Sequence, residues 1–205
     1  MKPYMIKTII FDLGRVIIPF DFDLGYAELS RLSRMDTALI RERIRATGLV
    51  PQFETGLIEP EPFVAGIAAA LEIEMSVEEF RRIWNLIFLE ETLIPEDLVV
   101  RLKRNYKVLL LSNTNALHFD GLAERYPLLR HFDHHVLSYE VRVMKPDAEI
   151  YLHAARLAGC EASECLFIDD LDENVKGAQA VGMQALVFHG REQLEREFQE
   201  IGIVY

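Results

Sequence analysis

The sequence has little of what marks a membrane-bound or secreted protein. No apolar run reaches the roughly 18 residues that a membrane-spanning helix needs. The N-terminus is too short and too polar, ahead of the first apolar segment, for a signal peptide. Only two cysteines are present, Cys160 and Cys165, without the companion Cys or His ligands of a zinc site. We therefore expect a cytoplasmic protein with reduced cysteines and no membrane partner.

Basic charge is also scarce, since 22 lysines and arginines stand against 33 aspartates and glutamates, for a formal net charge of −11. A nucleic-acid surface is basic, so we expect no nucleic-acid partner. A small anionic substrate is compatible with this charge, because a local cationic cleft can coexist with an acidic exterior. Half of the 205 residues are hydrophobic, which suffices for the core of one domain, with or without an insertion.

Short apolar segments alternate with segments of helical period, and this pattern predicts an α/β fold. Alternating strands and helices indicate a mostly parallel sheet with helices on both faces. Right-handed crossovers then place the carboxyl ends of all strands along one edge. The predicted strands are 7–12, 107–112, 134–138, 165–169 and 184–188, and the clearest predicted helices are 116–126, 147–158 and 172–181.

The interval between the first two predicted strands contains only helical patterns. Ser76 and Glu79 form a plausible capping box, and an apolar stripe at spacings of three and four follows them. Further helices are expected near 36–47 and from Pro60. We interpret this interval as a helical-bundle cap, residues 19–95, inserted into a core made of residues 1–18 and 96–205. The stripe is formed by Phe80, Ile83, Trp84, Ile87 and Phe88.

The first predicted strand ends abruptly in Asp12, and Gly14 follows two residues later. A strand buried on both faces appears as a continuous apolar run, so Asp12 lies at its carboxyl end. Open α/β sheets bind their ligands at that edge. The alternative is an ordinary turn, in which Asp and Gly are common.

Three later segments repeat this arrangement of polar groups beside strand ends. Ser112 and Asn113 end the second strand, where a hydroxyl and backbone N–H groups can hold a phosphoryl oxygen; the alternative is a helix N-cap. Lys145 precedes a helix start and would balance carboxylates and a phosphate. Asp169 and Asp170 end the fourth strand, and carboxylates at this density suit Mg²⁺.

Together these segments resemble the haloacid dehalogenase superfamily, in the family's order and over nearly the whole chain. Within it, the closer resemblance is to the small-cap phosphatases that include bacterial glucose-1-phosphate phosphatases. The resemblance implies a Rossmann-like core, a helical cap, Mg²⁺ dependence and hydrolysis of phosphate monoesters. Further matching segments are Phe53-Glu54-Thr55-Gly56, Tyr126-Pro127 and Ile150-Tyr151.

The resemblance also implies roles for individual residues. Asp12 would be the nucleophile, forming an aspartyl-phosphate. Ser112, with Asn113, would bind the phosphoryl oxygens, and Lys145 would neutralise them. The Mg²⁺ ligands would be Asp12, the Gly14 carbonyl, Asp169 and Asp170.

One position departs from the family pattern. Most phosphatases of this superfamily carry a second Asp, the general acid/base, two residues after the nucleophile, where this chain has Gly14. Asp21 or Asp23, on the loop that enters the cap, is a candidate to replace it, although exposed loop charges are the alternative. Arg15, beside the nucleophile, either contacts the substrate or pairs with a surface acid.

The cap is expected to close over a small phosphorylated metabolite, for which we expect a sugar phosphate. Candidates for lining the pocket are Arg15, Phe20, Asp21, Phe22, Phe53 and Glu54. Two other functions stay open at this point: a dehalogenase that needs no metal, and a weakly active phosphate-binding or regulatory protein. The sequence does not decide between a monomer and a homodimer.

Overall fold

A computed structural model describes residues 5–205, and its centre is a parallel sheet of five strands. The spatial order is β3-β2-β1-β4-β5, and every neighbouring pair is parallel. This confirms the predicted α/β fold and all predicted strands to within about two residues at either end. The strands are β1 (Thr8–Phe11), β2 (Lys107–Ser112), β3 (His134–Leu137), β4 (Cys165–Asp169) and β5 (Gln184–Val187).

The register of the sheet brings the polar strand ends together. Phe11 pairs with Leu110 on one side and with Ile168 on the other. The next residue, Asp12, donates its backbone N–H to the Ile168 carbonyl at 2.8 Å. Asp12, Ser112 and Asp169 therefore leave three adjacent central strands at the same edge.

Helices cover both faces of this sheet, because its central strands are buried on both sides. One face packs against α6 (Glu96–Leu102), α7 (Ala116–Arg125) and α11 (Arg191–Glu200). The other packs against α9 (Ala148–Ala158) and α10 (Asp172–Ala180). A single-turn helix, α8 (Ser138–Val141), and 3₁₀ turns at Pro127–His131 and Ala162–Glu164 complete this part of the chain.

In the described chain, the segment between β1 and α6 forms five α-helices and no strand of the sheet. They enclose a separate hydrophobic cluster that includes Phe53, Phe63 and Phe80. We call this segment the helical insertion; its exact boundaries, 19–95, stay a prediction. Its elements are α1 (Phe22–Ser33), α2 (Thr37–Thr47), α3 (Leu49–Glu54), α4 (Pro60–Ala70), α5 (Val77–Trp84) and a 3₁₀ turn at Asn85–Ile87.

The local signals of the insertion are confirmed, with one correction. Ser76 and Glu79 form the predicted capping box, and α4 begins at Pro60. The apolar stripe does not run along a single helix, because α5 ends at Trp84 and Phe88 is extended. The side chain of Asn85 donates to the Leu117 carbonyl at 2.8 Å, which fixes this change of direction against α7.

Two extended segments join the insertion to the sheet side by side. The Leu93 N–H donates to the Ile17 carbonyl at 2.8 Å, and the Leu89 N–H donates to the Pro19 carbonyl at 3.0 Å. Phe20 and Phe88 form an antiparallel bridge further along. In the described residues, no helix combines the length and the apolar character that crossing a bilayer requires.

Candidate active site

Three carboxylates meet where β1 and β4 end. Oxygen atoms of Asp12, Asp169 and Asp170 all lie within 4.8 Å of one another. Asp12 and Asp169 are buried, and Asp170 is partly exposed. Like charges this close together repel strongly unless a cation or a proton relieves them.

Lys145 supplies one such cation. Its Nζ donates to Asp12 Oδ1 at 2.6 Å and to Asp169 Oδ2 at 2.6 Å. Its side chain is 2% exposed. The side chain of Asn113 holds the backbone of Lys145 through two reciprocal hydrogen bonds, of 2.8 Å and 3.0 Å. Asn113, which we expected to bind phosphate, thus uses its amide to position the lysine.

In addition to Lys145, groups at the start of the following helix, α10, hold the carboxylate of Asp169. The Leu171 N–H donates to Asp169 Oδ1 at 2.8 Å, and Asn174 Nδ2 lies 3.0 Å from each carboxylate oxygen. Asn174 itself is held by Tyr151, whose Oη donates to its carbonyl at 2.8 Å. In the sequence, Asn174 supports the family resemblance together with Asp169 and Asp170, but nothing there assigns it the role of holding Asp169.

Burial and charge act in opposite directions on this cluster. Burial raises the pKa of Asp12 above its ordinary value, and the Lys145 ammonium only partly opposes this. Burial also lowers the pKa of Lys145, but the carboxylates of Asp12 and Asp169 outweigh it, so that the net direction is upward. The pKa of Asp170 is raised by burial and then by Asp169. Lys145 is therefore a fixed positive charge between Asp12 and Asp169, two carboxylates that burial removes from water.

A cavity of about 300 Å³ opens above the cluster. Ser112, which is buried, lines it close to Asp12 and Lys145. The competing role of N-cap belongs to Asn115, whose side chain accepts from the His118 N–H at 3.1 Å. Ser112 is therefore available to a ligand. We call this space the phosphoryl cavity; its other lining residues are Gly14, Arg15, Phe20, Phe22, Asn113, Asp170, Leu171 and Asn174.

A second cavity of about 190 Å³ continues from the first into the helical insertion. The two share Gly14, Phe20, Phe22, Ser112 and Asn113. We call it the leaving-group cavity. Most of its wall is apolar or aromatic, and its polar groups include Glu54, Thr114 and His118; the apolar residues are Leu13, Tyr26, Ile44, Val50, Trp84, Ile87, Phe88 and Leu122.

Burial shifts the pKa of both Glu54 and His118 in the direction that favours the neutral form. Burial raises the pKa of Glu54 to about 7 and lowers the pKa of His118 to about 3. His118 Nε2 lies 3.1 Å from the Trp84 carbonyl, and its Nδ1 lies 3.3 Å from the amide of Asn115. The carbonyl can only accept, so Nε2 carries the proton and Nδ1 faces the amide donor. Leu117-His118 is among the segments that carry the family resemblance, but the sequence assigns His118 no role in the site.

The structure divides the remaining pocket candidates into two groups. Arg15 and Phe22 line the phosphoryl cavity, as expected. Phe53 does not line it: its ring is 2% exposed and stacks on Phe63 at 4.2 Å inside the insertion. Asp21 is exposed at the N-cap of α1, where it accepts from the Asp23 N–H at 2.9 Å. Asp23 pairs with Arg41 at the surface, so neither aspartate reaches either cavity.

The donor set fits a hard divalent cation. Three carboxylates converge on one point, and Gly14 lines the same cavity. Oxygen ligands of this kind bind Mg²⁺, which keeps several waters and joins to phosphate. The cluster can therefore bind a metal ion.

Comparison with known proteins agrees with this geometry. The family model for haloacid dehalogenase-like hydrolases matches residues 6–182. The D-ribitol-5-phosphate phosphatase of Bacteroides thetaiotaomicron is 30% identical over 186 residues, covering 88% of this chain and 90% of that protein. The sesquiterpene phosphatase AstK of Aspergillus oryzae is 28% identical over 191 residues, covering 88% of each chain.

A solved structure is similar over the same extent. The crystal structure of a HAD family enzyme from Bacteroides thetaiotaomicron, in complex with magnesium and inorganic phosphate, superimposes with a TM-score of 0.82. It is 29% identical and covers 94% of this chain and 99% of its own. Fold, site and sequence therefore agree, and the chain belongs to the haloacid dehalogenase-like hydrolase family.

Proposed function

We propose that this hydrolase is a Mg²⁺-dependent phosphatase that hydrolyses a small phosphate monoester through an aspartyl-phosphate on Asp12. The observation that carries the proposal is the position of Lys145, 2.6 Å from both Asp12 and Asp169 on the floor of the phosphoryl cavity. Phosphoryl transfer depends mostly on positioning and charge neutralisation. A fixed ammonium among carboxylates supplies both.

The residues of the cavity divide the reaction into two steps. In the first, a carboxylate oxygen of Asp12 attacks phosphorus, and the bond to the leaving oxygen breaks. In the second, water attacks the aspartyl-phosphate, releasing inorganic phosphate and the free carboxylate. Splitting one hard displacement into two easier ones is the advantage of a covalent intermediate. Ser112 donates to a phosphoryl oxygen, and Lys145 neutralises another.

Asp12, Asp169, Asp170 and the Gly14 carbonyl would hold the Mg²⁺. A bound Mg²⁺ neutralises the phosphoryl charge and orients the group for in-line attack. Asn174 and the Leu171 N–H keep Asp169 in place through three contacts of 2.8–3.0 Å. Such supporting hydrogen bonds fix the orientation of ligating carboxylates.

The substrate we propose is a phosphorylated polyol or sugar. This is supported by the similarity to the D-ribitol-5-phosphate phosphatase. The similarity to a sesquiterpene phosphatase supports a second class of substrate, a phosphate with an apolar leaving group. The leaving-group cavity, with its aromatic walls, would decide between the two classes.

A dehalogenase is the rival that Gly14 favours, because its nucleophile attacks carbon without needing a second Asp. The acidic pair Asp169-Asp170 argues against it, because a metal-free reaction gives these carboxylates no task. A metal-free dehalogenase would keep its activity in chelator and would release no phosphate.

The test is phosphate release from ribitol 5-phosphate, sugar phosphates and p-nitrophenyl phosphate, with Mg²⁺ and with chelator. We expect turnover that requires Mg²⁺ and that Asp12→Asn abolishes. The matched control is Asp172→Asn, an exposed acid on the same edge that pairs with Lys176, and it should keep full activity. Activity that survives in Asp12→Asn, or phosphate release that ignores chelator, would contradict the proposal.

A further inference from the structure

The proposed reaction needs a proton donor at the leaving oxygen. When the bond between phosphorus and an alkyl oxygen breaks, the oxygen becomes a strongly basic alkoxide unless it is protonated in the same step. Position 14, where the superfamily pattern places a carboxyl group for this task, is glycine. The donor must therefore come from another residue that faces the cavity.

Most groups of the two cavities are already committed. Lys145 is bonded to two carboxylates, and Asp12 is the nucleophile. The His118 proton lies on Nε2, which is bonded to the Trp84 carbonyl, and the ring stacks on Trp84 at 5.3 Å. The remaining acidic group in the leaving-group cavity is Glu54.

Glu54 is held against the loop that carries Ser112. Ser138, at the start of α8, donates its hydroxyl to the Glu54 carbonyl at 2.6 Å and accepts from the Thr114 N–H at 2.9 Å. One buried hydroxyl thus connects the end of α3 to the second residue after Ser112. Glu54 and Ser112 line the same cavity, and the Ser138 hydroxyl fixes the backbone of Glu54 relative to the loop that carries Ser112.

The turn after Glu54 packs closely against α8, the helix that begins at Ser138. Gly56 has φ +63°, and a Cβ at this position would lie 2.0 Å from the Tyr139 carbonyl oxygen. Only glycine permits both this backbone conformation and this close approach. Glycine at position 56 therefore lets the turn after Glu54 pack directly against the backbone of α8.

The carboxyl group of Glu54 is without a partner among residues 5–205, where it takes part in no hydrogen bond or ion pair of its side chain. Its surroundings are the apolar and aromatic wall of the leaving-group cavity. A carboxyl group in such a place keeps its proton near neutral pH, and a carboxylic acid can donate where a carboxylate cannot.

We propose that Glu54 is the general acid and base of this site, a role that rests on the proposed phosphatase function. In the first step, the Asp12 oxygen bonds to phosphorus, the leaving oxygen departs with the electron pair of its bond, and the Glu54 O–H gives it a proton. In the second step, the Glu54 carboxylate takes a proton from water as the water oxygen bonds to phosphorus. The Asp12–phosphorus bond then breaks, and both carboxyl groups return to their initial states.

Burial raises the pKa of Glu54, and the charged and titratable groups on the surrounding elements do not account for this rise. The arginines of α2 are directed to partners elsewhere, Arg41 to Asp23 and Arg43 to Glu72. On α8, Glu140 is next to Tyr139, whose pKa is raised by burial and then by Glu140. The other such groups are Arg45 on α2, Glu61 on α4, Tyr26 on α1, His118 on α7, and Arg15, Asp12, Lys145 and Asp170 of the phosphoryl cavity.

The experiment compares Glu54→Gln with the wild type on two substrates that differ in their need for a proton. The p-nitrophenolate ion is a weak base and leaves unaided, whereas the alkoxide of ribitol 5-phosphate needs protonation. We expect Glu54→Gln to lower kcat/KM for ribitol 5-phosphate by about 10²–10⁴-fold, and that for p-nitrophenyl phosphate by only a few-fold. Glu54→Asp should recover part of the loss, and Glu59→Gln, an exposed acid of the same segment, should change neither substrate.

The pH profile gives a second readout that a structural role would not move. In the wild type, kcat/KM for ribitol 5-phosphate should fall as pH rises above 7, since the protonated acid disappears. This limb should be absent in Glu54→Gln and absent for p-nitrophenyl phosphate.

An equal loss on both substrates, or no loss on either, would overturn the role of Glu54. If Glu54→Gln does not fold, as judged by circular dichroism, the wild-type profiles on the two substrates decide alone, and identical profiles overturn it. The proposed function is tested separately, because turnover of p-nitrophenyl phosphate that Asp12→Asn abolishes establishes the phosphatase whatever Glu54 does. A wild type that releases no phosphate from either substrate overturns both proposals.

Discussion

The ring of Phe20 occupies the space into which a side chain at position 14 would project. A Cβ on Gly14 would lie 2.8 Å from Phe20 Cε1. The ring packs edge-on against two other rings, with centroid separations of 4.9 Å to Phe22 and 6.4 Å to Phe88. The guanidinium of Arg15 lies 4.8 Å from the centre of the Phe20 ring. Glycine at position 14, in place of the second aspartate, therefore leaves room for the Phe20 ring in the wall of the cavity.

Restoring that aspartate should fail on its own and succeed in part with a smaller neighbour. Gly14→Asp forces the Phe20 ring out of its contacts, and overpacking of this kind costs about 1–3 kcal/mol of unfolding free energy. We expect Gly14→Asp to lose both stability and activity, and Gly14→Asp with Phe20→Ala to regain activity. Denaturant unfolding and phosphate release measure the two effects. A single variant as stable as the wild type would show that the ring moves freely.

Asn174 should control the affinity for Mg²⁺ through its contacts with Asp169. Its amide contacts both oxygens of Asp169 at 3.0 Å, and loss of such a support typically costs 10–100-fold in metal affinity. We expect Asn174→Ala to shift the Mg²⁺ concentration for half-maximal activity upward by this factor. Gln179→Ala, an exposed change on the same helix, is the control. Equal Mg²⁺ dependence in the two variants would contradict the assignment of Asp169 as a ligand.

The protonation of Glu54 should also appear in the pH dependence of stability. Its pKa rises from an ordinary value of 4.5 to about 7 on folding because of burial. The folded protein therefore binds this proton more tightly than the unfolded chain, and the contribution of Glu54 to stability falls as pH rises from about 4.5 to about 7. The expected loss is about 3–4 kcal/mol, since one pKa unit corresponds to about 1.4 kcal/mol.

Glu54→Gln removes this titration and so isolates it. Urea unfolding at pH 5 and pH 8 should show the variant gaining stability relative to the wild type at the higher pH. The comparison cancels every other titrating group, because the two proteins differ at one carboxyl group only. A difference in stability that does not change with pH would show that Glu54 is ionised in the folded protein across this range.

Much of the floor of the site could be predicted because it follows from backbone topology. Asp12, Ser112 and Asp169 end three adjacent parallel strands, and the register brings them to one edge whatever their side chains do. Lys145 follows from the same logic, although its contact with two carboxylates depends on Asn113, which is 32 residues away in sequence. The roles of these residues in the reaction stay predictions.

The wall contributed by the insertion could not be predicted in the same way. Phe53 and Glu54 are neighbours in sequence, and we assigned both to the pocket. One faces the interior against Phe63 and the other lines the cavity. Their directions are set by the packing of a six-residue helix and by the bond from Ser138, 84 residues later in the chain. No local pattern carries that information.

Gly56 offers a direct test of whether this docking matters for turnover. Gly48 is a close match, since both glycines have φ +63°, but a Cβ on Gly48 meets nothing within 4 Å, whereas one on Gly56 meets the Tyr139 carbonyl oxygen at 2.0 Å. Alanine at either position should cost about 1–3 kcal/mol for the strained backbone. Only Gly56→Ala should also displace Glu54 from the loop that carries Ser112. We therefore expect Gly48→Ala to lose stability alone, and Gly56→Ala to lose turnover of ribitol 5-phosphate well beyond its loss of stability. Equal kinetics in the two variants, measured under conditions where both are folded, would show that the contact between the insertion and α8 has no part in catalysis.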